Sequence, residues 1–263
     1  MEEWPEKEAF KATTHFIHRG DFIDALLGVL PEGMVKLDHR LVSIVDNGAT
    51  ATATFANGAV VEADLIVGAD GIRSQVRQHL FSDRAPVFAG EHAYRIVIPQ
   101  SDTFGIVDDG NFRMFMGRGT KIYLPLLLHR GEPSYDVTSL SADPSPVPAF
   151  NKEELLRVAQ GFDDKLVKIT EGLNPAQVNL RAVYDSDPVD RWHSDCVALI
   201  GDAAQAMLNH QGQGANSAVL DAYQANRKPV TDELQRTSRQ GWSEDEIKTV
   251  FPNQRPGEIA ARS

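Results

Sequence analysis

Hydrophobic and polar positions change rhythm several times along the 263 residues. In "HRGDFIDALLGVLPEG", residues 18–33, Phe22, Ile23, Leu26, Leu27 and Leu30 recur at the spacing of one helical face. Asp21 can cap the start of that helix after Arg19, and Pro31 and Gly33 can end it. From 34 to 70 the period shortens to that of strands. Asn47-Gly48 and Asn57-Gly58 punctuate it, and both dipeptides suit tight hairpin turns. The run closes on "DLIVGAD", continuously apolar before its glycine and therefore read as a strand buried on both faces. A helical period resumes behind Ser74 in "IRSQVRQHLF".

A β-rich middle follows. "EHAYRIVIP", "FGIVDD", "NFRMFMG" and "TKIYLPLLL" read as strands, and "YDVTSLS" adds another. "NKEELLRVAQGF", residues 151–162, reads as a helix with Asn151 as cap and Glu153 and Glu154 in the first turn. "VNLRAVYDSDPV" returns as a strand toward "VALIGDAAQAMLNHQGQGANSAVLDAY", where an apolar strand, an acid, a glycine-rich turn and a helix recur. A helical continuation to about Thr237 and a loose end rich in proline and polar residues complete the reading. The expected fold is α/β: an incomplete Rossmann-like domain with an inserted mixed β-sheet domain. Its parts are residues 1–82, then the inserted sheet at 83–185, then 186–240, with a tail at 241–263.

Composition narrows the function. With 26 Lys and Arg against 37 Asp and Glu, the net charge is −11, and no basic cluster offers a nucleic-acid footprint. Cys196 is the single cysteine, which leaves no internal disulfide and no multi-cysteine metal site; it reads as a small buried residue on a strand. The eight histidines show no metal spacing. The opening "MEEWPEKEAFKATTHF" has neither signal nor transit character, and no apolar run approaches the roughly 20 residues a membrane helix needs. A cytoplasmic enzyme with no membrane span is the expectation, and its oligomeric state is open.

The chemistry sits at the two glycine units. "GADGIRSQVR" sets an acid and glycines at a strand end, then Arg73, Ser74 and Arg77 at a helix start, a combination suited to a pyrophosphate or to an ordinary capped turn. In "GDAAQ", Gly201 precedes Asp202, whose carboxylate could hold a ribose or ribityl hydroxyl. "GQGAN" supplies glycines ahead of another helix.

"DLIVGADGIRSQVR" resembles the Asp-Gly motif, and "ALIGDAAQAMLNHQGQGANSAVLDA" the Gly-Asp motif, of the single-component flavin-dependent aromatic hydroxylases, the para-hydroxybenzoate and salicylate hydroxylase-like monooxygenases. The likeness runs from about Arg19 to Tyr223. It implies FAD as cofactor, NADH or NADPH as electron donor, molecular oxygen, and a small aromatic or phenolic substrate, in secondary metabolism or aromatic degradation. The resemblance assigns FAD contacts to Arg19, Asp70, Gly71, Arg73, Gly201, Asp202, Gly214 and Ala215. It places Arg95 in "AYRIVIP" and Tyr123 in "KIYLPLLL" at the active site, although Leu124 here separates Tyr123 from Pro125. From the residues alone, Arg95 is equally a strand arginine paired with a local acid, and Tyr123 a packing residue.

Departures accompany the match. The family opens on a strand and a G-x-G-x-x-G turn, and only 18 residues precede Arg19 here. Gln205 stands where the family usually has histidine, and Asn209 near its usual proline. A truncated member of the family is the expectation, binding FAD weakly unless that opening unit is supplied. The alternatives are a non-redox descendant that binds or cyclises a small apolar ligand, and a fragment completed by a partner chain.

Overall fold

The structure is a computed structural model that describes residues 16–81, 84–117, 119–128, 132–212 and 214–220. By contacts these divide into two compact units, one holding residues 16–30 and 90–183, the other 31–89 and 184–220. Residues 16–30, which the sequence reading grouped with the glycine motifs, cluster with the β-rich unit. The reason is local: β1 (Phe16–Ile17) pairs in parallel with β9 (Leu127–Leu128). The expected helix to about Thr237 and the tail lie outside the described residues.

The β-rich unit is organised by a five-stranded sheet in the order β11 (Asn179–Asp185), β6 (Val87–Val97), β10 (Ser134–Leu140), β8 (Thr120–Leu124), β7 (Arg113–Gly117). Side chains alternate along these strands, so Tyr94, Ile96, Phe115, Ile122, Leu124, Tyr135 and Val137 form an apolar cluster. Leu155 from α3 (Lys152–Ala159) joins that cluster, as do Leu166 and Ile169 from α4 (Asp164–Gly172). Asn151 caps α3 as expected, accepting from Glu154 N at 3.1 Å. Helix α4 was not foreseen. Neither was the fate of "FGIVDD": Phe104 and Gly105 both take positive φ, at 52° and 81°, which breaks extended geometry and yields turns. "TKIYLPLLL" divides into β8 and β9 at Pro125, which has no N–H for the ladder.

Helix α1 (Arg19–Gly28) starts three residues earlier than a cap at Asp21 requires. His18 is the boundary residue and Asp21 lies in the first turn, 3.4 Å from the His18 ring. Its apolar face is not covered by described residues: Phe22, Leu26 and Leu27 are 39%, 49% and 46% exposed.

The second unit begins with β2 (Leu41–Asp46), β3 (Ala51–Phe55) and β4 (Val60–Ala63), an antiparallel meander turned at Gly48 and Gly58, both at φ 85°. Then β5 (Ile66–Gly68) pairs in parallel with β12 (Val197–Leu199), with Gly68 opposite Leu199. Val76, Trp192, Val197, Leu199, Ala203 and Ala204 build the core around that pair. Strand β5 is not buried on both faces, because Val67 is 47% exposed and Leu65, just before it, 59%. Among the described residues β12 is its only neighbour, so one flank of β5 has no partner strand there. Cys196 is buried as expected, one residue before β12.

Candidate functional site

Parallel pairing of β5 and β12 brings out both glycine-acid turns at the C-terminal ends of adjacent strands, the place where open α/β sheets bind ligands. The approach is close. A Cβ on Gly68 would stand 2.9 Å from Leu199 Cδ2 and from Val76 Cβ, so a larger residue would force strand and helix apart. Gly201, at φ 57° and ψ −145°, occupies backbone space that side chains rarely tolerate, and a Cβ there would meet Ala218 at 3.3 Å.

Asp70 folds back over α2 (Gln75–Leu80). Its carboxylate accepts from Ser74 Oγ at 2.5 Å and from the N–H groups of Gln75 and Val76 at 2.7 and 3.2 Å. Ser74 Oγ in turn accepts from Arg77 N at 2.9 Å. The helix start that could have received a phosphate therefore already holds an anion, Asp70 itself. Gly71, at φ 78°, makes the turn.

Arg77 is not displayed to an anion either. It is 1% exposed, and its guanidinium donates to the carbonyls of Ala203 at 2.9 Å, Asp202 at 3.3 Å, and Ile72. The Asp-Gly and Gly-Asp turns are thus tied together by one buried cation. Burial pushes the Arg77 pKa down, and Asp70 opposes the shift.

Asp202 opens α5 (Asp202–Gln205) and is exposed, while Gln205 at its other end is buried. Gly214 and Ala215 open α6 (Gly214–Leu220), the first half-exposed and the second exposed. Arg73 is exposed, with its guanidinium carbon 4.8 Å from the centre of the Tyr184 ring. Asp70, Gly71, Arg73, Gly201, Asp202, Gly214 and Ala215 all belong to this unit; Arg19, exposed at the start of α1, belongs to the other.

Arg95 and Tyr123 also lie in the β-rich unit, on strands flanking β10. Asp136 pairs with Arg95 on one side and Tyr123 on the other, so the three side chains form a row on one face. Tyr123 stacks on Phe112 at 6.2 Å, and Phe112 on Phe16 at 5.0 Å. Burial, helped by Glu91 and Asp136, raises the Tyr123 pKa. Asp136 escaped the sequence reading, because one acid in "YDVTSLS" carries no signal until the strand order puts it between the other two. On the opposite face of β6, His92 and Tyr94 line a cavity of about 590 Å³ with Phe150 and Glu154.

Residues 31–229 match the family described as FAD binding domain. The chain belongs to that family. Salicylate hydroxylase of Pseudomonas putida is 32% identical over 232 residues, covering 79% of this chain and 52% of the relative. A chloroplastic zeaxanthin epoxidase of an Oncidium hybrid cultivar is 30% identical over 225 residues, covering 84% of this chain and 33% of the relative. The chain thus spans between about a third and a half of these relatives' length. Klebsiella pneumoniae HpxO, solved with FAD and uric acid, shares the fold at a TM-score of 0.73 and 19% identity, over 89% of this chain and 66% of that one. The donor set suits a cofactor rich in hydroxyls: the exposed Asp202 carboxylate can accept from them, with glycine backbone at Gly201 and Gly214.

Proposed function

We propose that this chain is part of an FAD- and NAD(P)H-dependent monooxygenase that hydroxylates a small aromatic or phenolic substrate in the cytoplasm. The observation that carries the reading is the emergence of two glycine-acid turns side by side at the ends of parallel strands, with Arg77 holding both. Reduced FAD supplies the oxygen chemistry when bound. This chain's residues hold and position: Asp202 accepts from ribityl hydroxyls, Gly214 and Ala215 bring backbone to the ring, and Arg19 and Arg73 offer cations to the cofactor. Arg95 and Tyr123 orient the substrate ring.

The test is NADH and NADPH oxidation with added FAD, oxygen and a panel of phenols and hydroxypyridines. It is run on the 263-residue chain and on a version extended N-terminally by a strand and a G-x-G-x-x-G turn. A product heavier by one oxygen atom, dependent on FAD and on O2, is expected from the extended protein. Its absence across the panel, with FAD demonstrably bound, would overturn the proposal.

A further inference from the structure

One face of the five-stranded sheet sets an acceptor beside a donor. Asp136 on β10 is directly opposite Arg95 on β6, and side chains so paired share a face with Cβ atoms about 5 Å apart. Ser134 Oγ donates to Asp136 Oδ1 at 2.9 Å, which orients the carboxylate. Burial raises the Asp136 pKa, while Arg95 and Ser134 pull it down. Yet among the described residues Arg95 and Asp136 make no direct ion pair, and the Arg95 side chain is exposed. Strand pairing therefore puts a guanidinium-bearing and a carboxylate-bearing residue on one face without an ion pair between them. Tyr123, on the other side of Asp136 and stacked on Phe112, adds an aromatic flank.

A ligand edge complementary to this row presents a hydrogen-bond acceptor next to a donor. We propose that Asp136 is a specificity-determining residue that selects rings carrying a cyclic amide edge, taking the ring N–H while Arg95 takes the adjacent carbonyl. The inference rests on reading the chain as a ring hydroxylase and deepens it by naming the substrate class. A ring whose N–H is methylated leaves the carboxylate without a donor, and a site built on a polar contact rejects such analogues strongly.

The probes are 2-pyridone and N-methyl-2-pyridone, titrated onto the full chain and followed by ligand-observed NMR, a readout that needs no flavin turnover. Wild type should bind 2-pyridone at least about tenfold more tightly than its N-methyl analogue. In Asp136→Leu, which fills the space without an acceptor, 2-pyridone should fall to within about twofold of the analogue. Asp136→Asn keeps the shape and an oxygen acceptor and should retain a reduced preference, which guards against a folding defect in the leucine variant. Arg95→Gln should weaken both probes alike. Equal binding of the two probes to wild type, failure of wild type to bind either, or a full preference surviving in Asp136→Leu would each overturn the inference. An intact pyridone preference without flavin-dependent turnover would instead overturn the redox reading alone.

Discussion

Arg77 shows how a residue's type can be right while its role is not. Beside two glycines and a helix start, an arginine suggests a cation for phosphate, yet the chain turns it inward to three carbonyls on two separate turns. Only the pairing of β5 with β12 makes that destination visible, and no local pattern encodes the pairing. Asp70 follows the same logic in reverse: its carboxylate satisfies Gln75 and Val76 N–H, an interaction legible from the Asp-x-x-x-Ser spacing once the helix start is known. Arg77→Met should keep much of the apolar contact but strand the carbonyls. Each buried acceptor left unpaired costs about 1 to 3 kcal/mol, so a loss of at least about 2 kcal/mol is expected in urea denaturation. A midpoint unchanged from wild type would show that the clamp does not hold the two turns.

At the scale of elements, what was legible was local. The Asn-Gly hairpins and the Ser74 and Asn151 caps depend on residues within one turn of each other and form where the pattern puts them, whereas the helix at Arg19–Gly28 forms with its start ahead of the expected cap. What failed needed the rest of the chain. "FGIVDD" has strand composition, but Val107 is buried from a turn rather than a strand. "DLIVG" has the composition of a central strand but exposes Val67. One long-range tie was invisible in sequence: Asp46, at the end of β2, accepts from Ser194 Oγ and from Cys196 N at 3.0 Å, joining the hairpin to the loop before β12. With a further bond from Gly48 N, these hold the Asp46 pKa down at about 2. A depressed carboxylate contributes stability that is present above its unfolded pKa, near 4, and is lost as pH falls through the folded value. Asp46→Asn should therefore lower stability at pH 6 but leave it close to wild type near pH 2, as read by denaturation at both pH values. A constant difference across that range would remove Asp46 from the acid response.

For the whole molecule, the sequence reading and the family match agree on FAD, and the structure adds how the chain divides. The glycine-acid turns form one compact unit, and the Arg95, Asp136 and Tyr123 row belongs to the other. In the proposed roles the substrate-choosing row and the cofactor contacts fall in different units, Arg19 excepted. The central claim is that the paired turns hold the flavin through Asp202. Its most direct test is a fluorescence titration of FAD with the purified 263-residue chain, wild type against Asp202→Ala, with folding of both checked by circular dichroism. The account predicts saturable quenching by wild type and a dissociation constant raised at least about tenfold in the variant, equivalent to about 1.4 kcal/mol. Superimposable titrations, or no saturable quenching by wild type at any attainable concentration, would contradict it.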